Sequence, residues 1–258
     1  MRDFNKLMEV ISEEYNKLLG KNLVGIYVHG SIGFGCFNWD MSDIDFIVVI
    51  NEPIHQQTKL QLVQVLKDLG EQVPPRGFEM SIVLEKYCKA FVYPTPCELH
   101  FQSCWSEWYW KEQLVLYDDE RVDEGLAADF TVIKSVGIVI YGAQVENVFG
   151  VVPHEAYLDS ICKDVTGSST KEDIAGFPVY IILNSCRVYA YIKDRLVLSK
   201  EQGGKWGLAN LPEKYHNLIS EALNNYTKDS ELSNDEPQQT QQIQFVDYML
   251  ELIFNTTK

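Results

Sequence analysis

The chain has 258 residues, enough to bury the core of one large domain or of two smaller ones, and its 46% apolar and 23% charged residues are those of a soluble globular protein. A formal net charge of −15 argues against a nucleic-acid backbone as the main partner, because such sites concentrate Lys and Arg. The same acidity suits a cationic small substrate and also keeps a protein in solution. No window reaches the roughly 18 uninterrupted apolar residues of a membrane span, so no membrane partner is expected.

In chain order, Phe4, Leu7, Met8, Ile11, Tyr15, Leu18 and Leu19 recur at helical spacing, and Gly20 is a C-terminal stop. "NLVGIYVH" reads as a buried strand and is followed by a glycine-containing turn over 30–35. "DIDFIVVI" is a second strand, 56–69 a second amphipathic helix, and "GFEMSIVL" a third strand introduced by Pro74-Pro75. "ELHFQSCWSEWYWKEQLVLY" is rich in aromatic residues and fits neither template; it is read as loop with partial strand or helix. "DDERVDEG" is a charged loop, Asp129 is placed as the N-cap of a short helix over 130–136, and "IVIYG" is an apolar run of either type. Helices are expected over 154–163, 177–193, 213–226 and 241–254, with "TKDSELSNDEPQQTQQ" as a solvated linker before the last. The expected fold class is α/β (α+β): a mixed sheet flanked by helices over residues 1–150, then an all-helical domain over 151–258. Six cysteines without CxxC or zinc-like spacing, and an N-terminus charged throughout its apolar pattern, fit reduced thiols in a cytoplasmic protein.

The chemistry concentrates in "YVHGSIGFGCFNWDMSDIDFIVVI". Alternate residues of a strand share a face, so Asp43 and Asp45 project side by side where the second strand begins. Two carboxylates that close repel unless a cation lies between them, and Mg²⁺ is commonly held by one or two carboxylates plus substrate phosphates. Gly30 and Ser31 close the preceding strand, where backbone N–H groups and the Ser31 hydroxyl could receive a phosphate. Glu79, near the start of the third strand, joins the pair if that strand lies beside the second. Three such acids suit in-line nucleotidyl transfer from ATP, with Glu79 taking the proton of the attacking hydroxyl, completing the metal shell, or both. A lone Asp-x-Asp is commonly a solvated acidic pair, and His29 and His100 read as structural histidines. The specificity comes from the order: "GS" ends one strand and "DID" opens the next about twelve residues later.

These residues resemble the nucleotidyltransferase superfamily. "HGS…SDIDFIVVI", "FEMSIV", "ELHFQSCW" and the long run from "NSCRVYAYIKDRL" through "SKEQGGKW…LP" look like, in order, segments of the streptomycin/spectinomycin adenylyltransferases. The resemblance implies that Asp43, Asp45 and Glu79 hold Mg²⁺ and that Glu79 is the catalytic base. It implies that Gly30, Ser31 and Ser42 meet the nucleotide phosphates, with Arg187 and Lys200 reaching them from the helical half and Tyr226 at the nucleotide site. Trp105, Asp129 and Asp173 would contact the acceptor. Where the family carries an acid just before the "PVYIILNSCRVYAY" helix, Phe177 stands here and Asp173 is the nearest acid, which favours spectinomycin over streptomycin. The implied partners are ATP and a cationic small-molecule acceptor, for a monomer or weak dimer. Two other readings stay open on the residues alone: the same chemistry on a different acceptor, such as a protein, a nucleotide or another small molecule, and a non-catalytic nucleotide-binding regulatory module.

Overall fold

The computed structural model describes residues 4–103, 121–167, 170–228, 232 and 235–256. The backbone divides into two compact units, Met1–Pro153 and His154–Lys258.

The first unit is a mixed five-stranded sheet covered on both faces. Its strands are β1 (Leu23–Val28), β2 (Ile44–Ile50), β3 (Phe78–Leu84), β5 (Leu99–Gln102) and β7 (Ile138–Gly142), in the spatial order β5-β3-β2-β1-β7. Two-residue strands β4 (Thr95–Pro96) and β6 (Val122–Asp123) pair separately. Only β2 and β3 run parallel, and helix α3 (Gln56–Asp68) makes the crossover between them. Alternation sorts the strand side chains. Ile26, Val28, Phe46, Val48, Met80 and Ile82 face one way and meet α1 (Phe4–Leu19) and α3 through Leu7, Ile11, Tyr15, Leu62 and Leu66. Tyr27, Ile47, Val49 and Val83 face the other way, against Leu126, Phe130 and Ile133 of α5 (Leu126–Val136). The Tyr15 hydroxyl, fully buried, donates to Leu62 O at 3.0 Å and ties α1 to α3.

The apolar run "IVIYG" is β7, an edge strand paired with β1. Short helices α2 (Gly30–Gly33), α4 (Glu85–Lys89) and α6 (Val145–Val148) fill the connections. Glu85 therefore opens a helix beyond the end of β3. Asp129 also differs from expectation: α5 begins at Leu126, four residues before the expected start, so Asp129 lies inside the first turn and Gly125 is the N-cap. Apolar Leu126 and Ala127, both buried, carry the helix back to that point.

The second unit is all helical: α7 (His154–Thr166), α8 (Lys171–Gly176), α9 (Pro178–Asp194), α10 (Lys200–Asn210), α11 (His216–Lys228) and α12 (Glu236–Thr256). Helix α9 is buried on nearly every side and meets each of the others, as a helix apolar all round must. Phe177 precedes it, and Pro178 occupies the first helical position, where its missing N–H has no intrahelical partner to lose. Helix α10 departs from the sequence expectation. Its three glycines depress helical propensity, yet they are what the packing requires: a Cβ at Gly203, Gly204 or Gly207 would come within 2.6, 2.7 or 2.8 Å of Arg187, Leu183 or Cys186. Ser199 and Gln202 cap its start reciprocally. The last helix begins at Glu236, so the polar run expected as linker is partly helix; buried Gln242, Phe245 and Val246 anchor it. Among the described residues no helix is long and apolar enough to cross a membrane.

One buried ion pair, Lys59 Nζ to Glu98 Oε2 at 3.2 Å, joins α3 to the residue before β5. The Ile54 N–H donates to the same oxygen at 3.3 Å. Removing one charge strands the other away from water, so Lys59→Met should lower unfolding free energy by about 3 kcal/mol, read by urea denaturation.

Candidate active site

The register of β2 and β3 builds the site. Asp45 lies directly opposite Glu79 in the parallel ladder, and Asp43 precedes Asp45 by the two residues that return a strand to the same face. One ligand oxygen from each of Asp43, Asp45 and Glu79 lies within 4.8 Å of the others, all three side chains being half-buried. They stand on the same face as Ile47, Val49 and Val83, at its polar end. Three carboxylates offer only hard oxygens, the donors that Mg²⁺ takes. An octahedral ion with bonds of about 2.1 Å spaces neighbouring oxygens by about 3 Å and opposite ones by about 4.2 Å. The present spacing, up to 4.8 Å, lies close to that range and every donor is a carboxylate oxygen, so the residues fit the ion.

The turn after β1 is shaped around these acids. Gly30 has φ +58°, and a Cβ there would overlap Asp45 Oδ2, so only glycine lets the backbone pass this close. The His29 N–H donates to Asp45 O at 3.0 Å, which continues the β1/β2 ladder into the turn. Burial pushes the His29 ring down to about 3, so it stays neutral and brings no positive charge to the acids. The Ser31 hydroxyl oxygen is buried with no hydrogen-bond partner, an orphan that a phosphate oxygen would satisfy. Ser42 is buried; its hydroxyl oxygen accepts from the Asn38 N–H at 3.3 Å, and its own N–H donates to Asn38 O at 2.8 Å. That loop sets where Asp43 leaves for β2.

Sequence reasoning missed part of this face. In "ELHFQ", Leu99 and Phe101 alternate with His100 and Gln102, the period-2 pattern of a strand, and β5 places His100 opposite Ser81 and Gln102 opposite Glu79. The His100 Nδ1 is 2.9 Å from Ser81 Oγ and its Nε2 is 3.9 Å from Glu79 Oε1. Burial lowers the ring to about 4; Asp123 opposes that shift and Arg121 adds to it.

The other expected site residues divide between the units. Asp129 is half-buried on α5, in the first unit. Trp105 lies outside the described residues. In the helical unit, Tyr180, Asn184 and Arg187 share one face of α9 and converge on Asp164 of α7. The Tyr180 hydroxyl donates to Oδ1 at 2.7 Å, the Asn184 amide to Oδ2 at 2.6 Å, and Arg187 Nη2 lies 3.6 Å from Oδ2. Arg187 Nε is buried with no hydrogen-bond partner. Lys200, first residue of α10, holds its ammonium 5.1 Å from the Tyr180 ring centroid. Tyr226 is half-buried at the edge of the helical core. Asp173 is engaged locally: its carboxylate accepts from the Thr170 N–H at 3.1 Å and closes the capping box of α8.

Comparison with known proteins agrees with this frame. Residues 147–252 match the aminoglycoside adenylyltransferase C-terminal domain. A spectinomycin 9-adenylyltransferase of Staphylococcus aureus is 23% identical, covering 81% of this chain and 80% of its own length. One from Enterococcus faecalis is 24% identical over 86% of this chain and 85% of its own. A crystal structure of spectinomycin adenyltransferase from Enterococcus faecalis, with ATP and spectinomycin, superposes with a TM-score of 0.77 at 19% identity, covering 98% of this chain and all of the other. By sequence and by fold, the chain resembles the aminoglycoside adenylyltransferases. Within that family's frame the mixed sheet is the nucleotidyltransferase fold, and the acids stand at the mouth of its second and third strands in this chain.

Gly30→Ala tests the closeness of the turn. The left-handed backbone should cost about 1–2 kcal/mol, and displacement of Asp45 should weaken binding of Mg–ATP at least about ten-fold by calorimetry.

Proposed function

We propose that this protein transfers AMP from ATP to a hydroxyl of an aminocyclitol or aminoglycoside antibiotic, spectinomycin rather than streptomycin, and releases pyrophosphate. The observation that carries the reading is the convergence of Asp43, Asp45 and Glu79 beside the Gly30–Ser31 turn. In the reaction the acceptor oxygen attacks the α-phosphorus, a new P–O bond forms, and the bond from that phosphorus to the bridging oxygen of pyrophosphate breaks. Glu79 accepts the proton that the hydroxyl loses. Asp43 and Asp45 are the ligands assigned to Mg²⁺, which when bound neutralises charge on the α-phosphate and on the leaving group.

The chain's own groups supply the rest. Gly30 lets the phosphates approach the backbone, and the Ser31 hydroxyl donates to a phosphate oxygen, with Ser42 beside Asp43. Arg187 and Lys200 balance the triphosphate, a role supported by the unpartnered Arg187 Nε–H. A surface of net charge −15 favours a cationic acceptor. Phe177, exposed where the family carries an acid, supplies no charge to a guanidinium-bearing acceptor, which supports spectinomycin; the relatives above bear that name.

Asp45→Asn and Glu79→Gln should each lower turnover by roughly a thousand-fold or more, with the fold intact by circular dichroism. The assay is ATP-dependent pyrophosphate release across spectinomycin, streptomycin and a lincosamide, with spectinomycin expected as substrate. Near-wild-type turnover in either variant contradicts the roles assigned. Release with a lincosamide alone contradicts the acceptor.

A further inference from the structure

Glu79 lies in the sheet between Asp45 of β2 and Gln102 of β5. A carboxylate that removes a proton from an acceptor must present one defined oxygen, yet a glutamate side chain turns freely about three bonds. Strand β5 provides the neighbour. Ser81 and His100 face each other directly across the antiparallel ladder, so the His100 ring rises from the row below Glu79 on the same face. Its Nε2 lies 3.9 Å from Glu79 Oε1, longer than a hydrogen bond, and its Nδ1 lies 2.9 Å from Ser81 Oγ.

We propose that His100 is a positioning residue for Glu79: its Nε2–H holds one carboxylate oxygen and leaves the other facing the acceptor hydroxyl.

The donor set fixes the arrangement. An ionised carboxylate only accepts, so the ring must carry its proton on Nε2 to bind it. Nδ1 is then the acceptor, and the Ser81 hydroxyl is the group that donates to it. Ser81 is buried, as is most of the His100 side chain, which keeps water from competing for Nδ1. The ring therefore has one useful tautomer and one orientation, imposed from the strand beneath. Hydrogen bonds of a catalytic group are often long before substrate binds and tighten in the complex, and the remaining gap is of that size. The pattern is a base oriented by a second group that is oriented by a third, here Glu79, His100 and Ser81. Purely structural burial of a histidine would not require its second nitrogen to point at the one acid expected to move a proton.

The inference rests on Glu79 as the base, so both are measured together. His100→Leu, His100→Gln, Ser81→Ala, Glu79→Gln and the double variant His100→Leu/Glu79→Gln are assayed for kcat and for KM of Mg–ATP at saturating Mg²⁺ and acceptor. His100→Leu should lower kcat by roughly 10–100-fold with KM for Mg–ATP within about two-fold. His100→Gln, which keeps an N–H in reach of Glu79, should recover to within about three-fold of the parent. The double variant should be no slower than Glu79→Gln alone, because one group acts through the other. Wild-type kcat in His100→Leu overturns the proposal, as does equal loss in His100→Leu and His100→Gln. If His100→Leu does not fold, Ser81→Ala decides: a kcat several-fold down supports the proposal, and an unchanged kcat overturns it. Full activity in Glu79→Gln is a separate outcome, which removes the functional reading itself and the positioning role with it.

Discussion

Three carboxyl groups, each with one oxygen within 4.8 Å of the others, dominate this structure. Folding brings them there against their mutual repulsion, because the register of two parallel strands leaves them no other place: Asp45 is opposite Glu79, and Asp43 returns to the same face two residues earlier. Apolar contacts on both faces of the sheet set that register, since sliding β2 by one residue would exchange Ile47 and Val49 for Phe46 and Val48. The hydrophobic core thus holds the acids in a geometry they would avoid in water. A cation that joins them recovers that electrostatic strain.

The remainder of the first unit serves this arrangement. Gly30 passes close to Asp45 where no other residue fits, Ser31 buries a hydroxyl oxygen that has no hydrogen-bond partner, and Ser42 fastens the loop that delivers Asp43. The helical unit shows a related economy around a charged pair. Asp164 gathers Tyr180, Asn184 and Arg187 from a single face of α9, while the glycines of α10 let that helix press against Arg187 and Leu183. The "SKEQGGKW" run is therefore a packing device that presents Lys200 beside Tyr180.

Much of this was legible from residue patterns, and what was not has physical causes. The strands β1, β2 and β3 are long apolar runs, and acids stand at one end of β2 and β3, so their faces and those acids could be read directly. Strand β5 is only four residues long, merges into an aromatic run, and was hidden; with it went the placement of His100, which composition alone marks as a core histidine. Helix α10 was missed because three glycines in eleven residues oppose a helix intrinsically, and only contact with α9 makes them favourable. Asp129 is not the cap because Leu126 and Ala127, which lie between the charged run ending at Gly125 and Asp129, are buried and continue the helix back to Leu126.

The most direct test of the central claim is thermal unfolding of the parent and of Asp43→Asn, each without divalent metal and with Mg²⁺ alone. Relief of repulsion predicts that the variant is at least as stable as the parent without metal. Added Mg²⁺ should raise the parent's midpoint by several degrees and the variant's much less, since a ligand stabilises a fold in proportion to its affinity for it. A variant that is less stable without metal, and that gains as much from Mg²⁺ as the parent does, would contradict the account.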